Sequence, residues 1–266
     1  HHNDGFFTNL HTHKKADKLD NGAGRIGLTW KPAAHWTTRF ITSYEYSNQG
    51  GYPYGLYNAD KGTTEAVNYN NEGLYRRNLL TSGINIRYNG PHISFNSQTS
   101  YQYIQDKMGI DQDFSPRNIF YGQNKIRQHM YCQEFTVKSV NKSRYHWITG
   151  AFVFRQTINR KVDLSRFTDT TRHLTNSGIP TQGIAFYHQS TLDLLQGLSC
   201  SVGLRYDYEH ARCDFSKVQQ PLNGNGETKS LEQFNRSLHF GQFTPRFSMQ
   251  YLSSHNQLFY ASVSKG

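Results

Sequence analysis

The chain of 266 residues is 35% hydrophobic with a mean hydropathy of −0.76, yet 14% of it is aromatic, including 18 Tyr and 17 Phe; disordered chains are poor in aromatics, so disorder is excluded. No run approaches the roughly 20 consecutive apolar residues of a membrane helix, and Cys132, Cys200 and Cys213 form neither a CxxC pair nor an even framework, which argues against a zinc ribbon and a disulfide scaffold. The net charge of +10 invites a nucleic-acid reading, but no short element combines a basic cluster with interleaved aromatics, so nucleic acid is not an expected partner.

Residues 1–21 carry two His-rich pieces and no alternation, and are predicted to be loop. Two imidazoles of His11-Thr12-His13, near His1 and His2, are accounted for by a polar exposed segment, and neither metal nor cofactor is expected. Ten strands follow, at 22–30, 35–47, 76–89, 92–105, 129–140, 145–157, 182–194, 198–211, 242–252 and 257–263. In most of them apolar and polar residues alternate with period 2. From Trp36 the even positions are Trp36, Phe40, Tyr44 and Tyr46, against Thr37, Arg39, Ser43 and Glu45. Ile84, Ile86 and Tyr88 oppose Asn85, Arg87 and Asn89; Val202, Leu204 and Tyr206 oppose Ser201, Arg205 and Asp207. Phe243, Phe247 and Met249 oppose Thr244, Arg246 and Ser248. Runs 145–157, 182–194 and 257–263 alternate too loosely for their faces to be assigned.

Strand length separates a soluble sheet from a membrane wall. Strands of soluble domains cluster near 5–6 residues, whereas a bilayer-crossing strand needs roughly 9–11. The connections agree: links at Lys31 to Ala34, Gly90-Pro91, Asn141 to Arg144, Leu195 to Gly197 and Ser253 to Asn256 are short. Those at about 48–75, 106–128, 158–181 and 212–241 are long. Consecutive antiparallel strands swap ends, so all short links fall on one side and all long ones on the other, as in outer-membrane barrels. The fold class expected is therefore all-β, an antiparallel transmembrane β-barrel. Tyr and Phe near strand ends fit its interfacial girdles.

The predicted loops carry a net charge of only +2, and the strands with their short turns carry +8. Arg25, Arg39, Arg87, Lys138, Arg205 and Arg246 lie on polar strand faces, while Lys31, Lys142 and Arg144 sit at short turns. A closed sheet turns the polar faces into a basic lumen, which concentrates anionic solutes. Pairing of the arginines with Glu45, Glu134, Asp207 and Glu209 on neighbouring strands, or with a plugging domain, is the simpler alternative. The candidate ligand-binding residues are accordingly Arg39, Arg87, Arg205 and Arg246, with Tyr52, Tyr54 and Tyr57 of a long loop as a stacking platform. There is no G-x-S-x-G elbow, no H-E-x-x-H and no P-loop, so no enzyme is expected.

Gly24-Arg25-Ile26-Gly27-Leu28-Thr29-Trp30-Lys31-Pro32 resembles a strand–turn opening common in barrels of TonB-dependent outer-membrane transporters. Asp113-Phe114-Ser115-Pro116 leading to Ile119-Phe120-Tyr121 resembles a loop of the siderophore-receptor branch. Gln133-Glu134-Phe135, followed by Trp147-Ile148-Thr149-Gly150-Ala151-Phe152-Val153-Phe154, is similar to a hairpin of that family. Leu258-Phe259-Tyr260-Ala261-Ser262-Val263-Ser264-Lys265-Gly266 is similar to its late-barrel strand. The resemblance implies a 22-stranded barrel of which these ten strands are a part. Residues 1–266 are then expected to be an internal stretch of the barrel domain, with the plug domain and the C-terminal strands outside it, and not to fold alone. It further implies a receptor in the cell outer membrane of a Gram-negative bacterium that imports a ferric siderophore or similar scarce solute. Its partners would be that solute, the TonB energy-transducing protein acting through the plug, and outer-membrane lipid. A passive porin-like channel and a soluble all-β binding domain are the competing readings.

Overall fold

The computed structural model describes residues 1–141 and 143–265; Lys142 at its short turn and Gly266 at the end of the last motif lie outside them. The strands are β1 (His2–Asn3), β2 (Leu19–Ala33), β3 (Trp36–Gln49), β4 (Tyr57–Asn58), β5 (Thr63–Thr64), β6 (Leu74–Asn89), β7 (Ile93–Asp111), β8 (Phe120–Ser139), β9 (Tyr145–Arg166), β10 (Thr171–Leu195), β11 (Leu198–Pro221), β12 (Lys229–Leu252) and β13 (Leu258–Ser264). Apart from the β4–β5 hairpin they form one antiparallel sheet in the order β1-β2-β3-β6-β7-β8-β9-β10-β11-β12-β13. All ten expected strands are present, each paired with its neighbour in sequence. Between β1 and β13 the sheet stays open, an incomplete turn of wall.

The strands are longer than the alternation suggests, and this corrects three of the four long loops. Segments 106–128, 158–181 and 212–241 are largely strand, linked by 112–119, 167–170 and 222–228. Only 50–73 remains a long excursion. β10 has 25 residues, about 80 Å at a rise of roughly 3.3 Å per residue, against a hydrocarbon core of about 30 Å. The wall thus continues well past the bilayer on the long-link side. Out there both faces meet water, so period 2 disappears from the sequence while backbone pairing carries on.

The register decides whether the polar faces coincide. Arg39, Asn85, Gln98, Glu134, Phe152, Ala185, Asp207 and Gln242 are successive cross-strand partners and therefore share one face. The adjacent row, Leu28, Phe40, Ile84, Thr99, Gln133, Val153, Ile184 and Tyr208, shares the opposite face. Every polar face read from the sequence falls on the first side. The loose runs are now placed as well: Ile148, Phe152 and Phe154 join the wet side, which is why 145–157 did not alternate cleanly. Thr99 and Gln133, polar on the apolar side, satisfy each other through the Thr99 Oγ1–Gln133 Oε1 bond of 2.5 Å.

Aromatic residues bracket the apolar face. Trp36 packs on Tyr88 at 4.9 Å at the short-turn end, and Tyr101 on Tyr131 at 4.7 Å towards the other. From Trp36 to Tyr44 and Tyr46 is roughly ten residues, the length of a tilted membrane strand.

Residues 1–21, expected to be loop, carry the short edge strand β1 and the first three residues of β2, and the irregular remainder is pinned. Ala16, Val67 and Tyr69 form a small buried cluster that ties this segment to the 50–73 excursion. Asn9, 1% exposed, donates from Nδ2 to the Tyr69 carbonyl (2.8 Å) and accepts the Tyr69 and His11 amides at Oδ1. Asn9→Leu leaves both Tyr69 backbone groups unpaired in a dry site, at a cost of about 1–3 kcal/mol. Amide exchange at Val67 and Tyr69 should accelerate accordingly while exchange in β7–β11 stays unchanged.

Candidate functional site

The lumen-side cations separate into two groups. Arg39 on β3 and Arg87 on β6 stand together around a cavity of about 110 Å³ lined also by Thr37, Asn85 and Asn89. Arg87 borders a second hollow of about 300 Å³ with Asn96, Thr136 and Lys138. Five strands away Arg205 binds Asp207 on its own strand in a bidentate pair (Nε–Oδ2 2.8 Å, Nη2–Oδ1 2.7 Å) and lies 5.9 Å from the Tyr187 ring. The Tyr187 hydroxyl donates to Glu134 Oε1 (2.9 Å) and accepts from Thr136 Oγ1 (2.8 Å). Arg246 on β12 neighbours Arg205 diagonally, opposite Gly203. Among the described residues Arg25, Arg39, Arg87, Lys138 and Arg246 make no ion pair within 4.0 Å; Arg205 is paired, but with an acid of its own strand and not of a neighbouring one.

The loop tyrosines divide likewise. The Tyr52 and Tyr54 rings lie 5.8 Å apart, and Phe114 of the β7–β8 link adds a third ring 5.2 Å from Tyr54. Tyr57 stands away from them on β4, 69% exposed. Gly51 lets the loop approach this closely: its φ is +93°, and a Cβ there would meet the Gly73 backbone at 3.1 Å.

Two carboxylates shape the Phe114 link. Asp111 is buried and accepts the Asn71, Asp113 and Phe114 amides. Burial pushes its carboxyl above the usual range, only partly offset by the Asn71 bond. At Asp113 burial acts in the same upward sense. The Ser115 hydroxyl and the Phe120, Ser115 and Ile119 amides outweigh it and hold this carboxyl below the ordinary value. Phe114 between them has φ +50°, unusual for a bulky residue, and these bonds fix it there. A lowered folded pKa means that Asp113 adds stability above the ordinary carboxylate pKa of about 4, and the contribution is lost as pH falls through the folded value. At pH 7 the Asp113→Asn link should exchange its amides roughly tenfold faster than the native one, a loss of about one charge-assisted hydrogen bond. As pH falls below about 4 the difference should shrink, and the two proteins should converge only beneath the lowered folded value.

On the lumen side, level with the outer aromatic girdle and just past it, lies a trough of about 1180 Å³ crossing β7 to β12. Its middle row is Asp106, Ile126, Arg160, Ser177, Phe215 and Phe234, successive partners with the parity of the wet face below. Phe215 and Phe234 stack at 4.8 Å and 13°. Asp106 is held by Arg77 (Nε–Oδ1 2.9 Å, Nη2–Oδ2 2.8 Å). Arg160 is exposed, donates from Nε to Asn124 (3.0 Å) and makes no ion pair within 4.0 Å among the described residues. Ser177 separates Arg160 from the stacked pair in the row, and a cation and an aromatic face on one wall of the trough suit a planar anionic solute. These residues were absent from the sequence candidates because they fall in segments read as loops. Extending the parity of Arg205 to Phe215 and of Gln242 to Phe234 would have found them.

The family model described as TonB dependent receptor-like, beta-barrel matches residues 3–266. Among solved structures, the fold is similar to the ferric yersiniabactin uptake receptor FyuA from Yersinia pestis, with a TM-score of 0.79 and 13% identity over 98% of this chain and 40% of that one. It is similar to the ferric citrate transporter FecA in its unliganded form (TM-score 0.69, 11% identity, 97% of this chain and 37% of that one). The siderophore receptor PiuA from Acinetobacter baumannii gives a TM-score of 0.68 and 9% identity over 96% of this chain and 43% of that one. The chain therefore spans about two fifths of the length of these receptors, and identities this low carry the fold alone.

Proposed function

The chain belongs to the TonB-dependent receptor β-barrel family, and from that membership we propose that it forms part of the wall of an outer-membrane receptor for energised uptake of a ferric siderophore. Family members sit in the Gram-negative outer membrane and are receptors and transporters rather than enzymes. The observation that carries the solute class is the trough: Arg160 in one row with the Phe215–Phe234 stack, one strand removed from it, on the lumen side at and just past the outer aromatic girdle. Ferric complexes of oxygen-rich chelators are commonly anionic, and a basic wall raises their local concentration. In this reading Tyr52, Tyr54 and Phe114 guide the solute at the rim, with Tyr57 as an outlying contact. Arg39, Arg87, Arg205 and Arg246 line the path below. The plug and the remaining strands come from outside these residues, and the energy-transducing partner acts through the plug.

The test is uptake of a panel of radiolabelled ferric siderophores by cells expressing the full-length protein, with and without the TonB partner. Accumulation of at least one siderophore that stops when the partner is deleted is the expected result. Partner-independent flux, together with open-channel conductance in planar bilayers, would establish a passive channel in its place.

A further inference from the structure

The lumen face of β11 and β12 carries an apolar lane that leads down from the trough. Below the Phe215–Phe234 stack, Cys213 faces Arg236, Ala211 faces Leu238 and Glu209 faces Phe240, all with the parity of Asp207 and Gln242 on the wet side. From Phe234 to Phe240 the lane is roughly 20 Å long at a rise of about 3.3 Å per residue. It ends one residue short of Gly241, the partner of Tyr208 in the middle row of the wall. Interiors of membrane barrels are ordinarily polar, yet Leu238 is 70% and Phe240 53% exposed on this side. A strand continuing the wall past β12 would cover its edge and not its lumen face, because strand side chains stand perpendicular to the sheet. The wall itself therefore leaves both side chains uncovered.

Charge is ordered along the lane. At its upper end Arg160 and Arg236 make no ion pair within 4.0 Å among the described residues, and Glu232 above them stands opposite Lys217. At its lower end lie Glu209 and Asp207, the latter held by Arg205. A solute with an anionic head and an apolar arm matches that order: the head meets the arginines above, the acids below repel it, and the arm lies between. A single planar ring spans only a fraction of the lane, which at Cys213, Ala211 and Leu238 is not aromatic, so a long aliphatic arm fits it better. We propose that this lane holds the alkyl arm of an acylated, anionic ferric chelate whose head occupies the trough. Continuity with the trough assigns the lane to the solute, and the lipid tails of the bilayer lie on the opposite face. The inference rests on the proposed uptake function and deepens it by naming the solute class.

The experiment titrates the purified full-length receptor in neutral detergent with ferric chelates of hydroxamate, catecholate and hydroxycarboxylate type, each with and without a decanoyl arm. For the head that binds, the acylated form should bind roughly tenfold tighter or more, since about two buried methylenes suffice for that factor. Leu238→Gln combined with Phe240→Gln should remove the preference and leave the affinity for the unacylated chelate within about twofold, with the heat-modifiable gel shift as the folding control. Leu238→Met and Phe240→Leu keep the lane apolar and should keep the preference. A benzophenone side chain in place of Leu238 should crosslink to the acylated chelate on illumination. Equal affinity for the two forms of a bound head would overturn this inference and leave the uptake proposal standing, whereas no binding by any of the chelates would overturn both. An undiminished preference in the double Gln variant, or crosslinking to the plug with the acylated chelate bound, would also overturn it.

Discussion

Ile84→Arg should destabilise the folded wall by about 2–4 kcal/mol in a bilayer, whereas Gln98→Arg, at nearly the same height, should stay within roughly 0.5 kcal/mol. Ile84 lies in the middle row of the apolar face, between Phe40 and Thr99 and about equally far from the two aromatic girdles. It is already 42% exposed in the isolated wall. In a water-soluble sheet an arginine there would merely extend into solvent at almost no cost. In a membrane the guanidinium would face hydrocarbon near the midplane, where charge is most expensive. Gln98 belongs to the polar row, with Asn85 on one side and Glu134 on the other, so an arginine gains a counter-charge and keeps its water. The unfolding midpoint of the full-length protein in vesicles, read by the heat-modifiable gel shift, checks both changes. Equal tolerance of the two substitutions would remove the membrane assignment of the apolar face.

The second large effect concerns the trough. Combining Phe215→Ala, Phe234→Ala and Arg160→Gln should weaken binding of the transported ferric siderophore by about 100-fold or more. Losing an aromatic contact costs roughly 0.5–1.5 kcal/mol, losing a charge-assisted hydrogen bond roughly 1.5–3 kcal/mol, and each 1.4 kcal/mol is tenfold in affinity. Arg160→Lys keeps the charge but not the planar fork, and should fall between the two. Tyr57→Ala should change affinity less than Tyr54→Ala, because Tyr57 stands apart from the Tyr52–Tyr54–Phe114 cluster. Titration of the purified full-length receptor separates these cases, with the gel shift as the folding control. Unchanged affinity in the triple variant would move the solute site away from the trough.

What the sequence reveals about this wall follows the bilayer. Where one face meets lipid and the other water, alternation is enforced, and β3, β6, β7, β11 and β12 could be read with the correct face outward. Beyond the girdle that constraint lapses, and the extensions through Asp106, Arg160, Phe215 and Phe234 looked like loop. β9 and β10 were ambiguous for a different reason: Ile148, Phe152 and Phe154 on β9 and Ala185 on β10 place apolar side chains on the wet face, and His188 and Ser190 place polar ones on the other, which blurs a two-letter pattern. The docking of residues 1–18 through Asn9 and Tyr69 spans 60 positions of sequence and has no local signal. The candidate arginines were legible as a face. That Arg39 and Arg87 share a cavity while Arg205 is committed to Asp207 depends on rotamers, which one sequence does not contain.

The most direct measurement is a nitroxide scan along β9 of the full-length receptor in vesicles, at positions 148, 149, 151, 152, 153 and 154 and again at 159–161. Collision with dissolved oxygen reports lipid contact, and collision with a nickel chelate reports water. Labels at 149, 151 and 153 should show high oxygen and low nickel collision, and those at 148, 152 and 154 should show low oxygen collision. The labels at 159–161 should lose the alternation and meet nickel, since there the strand passes the level of Tyr46 and leaves the hydrocarbon. Uniform accessibility along 148–154, or lipid contact at 152 and 154, would contradict a wall whose wet face lines a lumen.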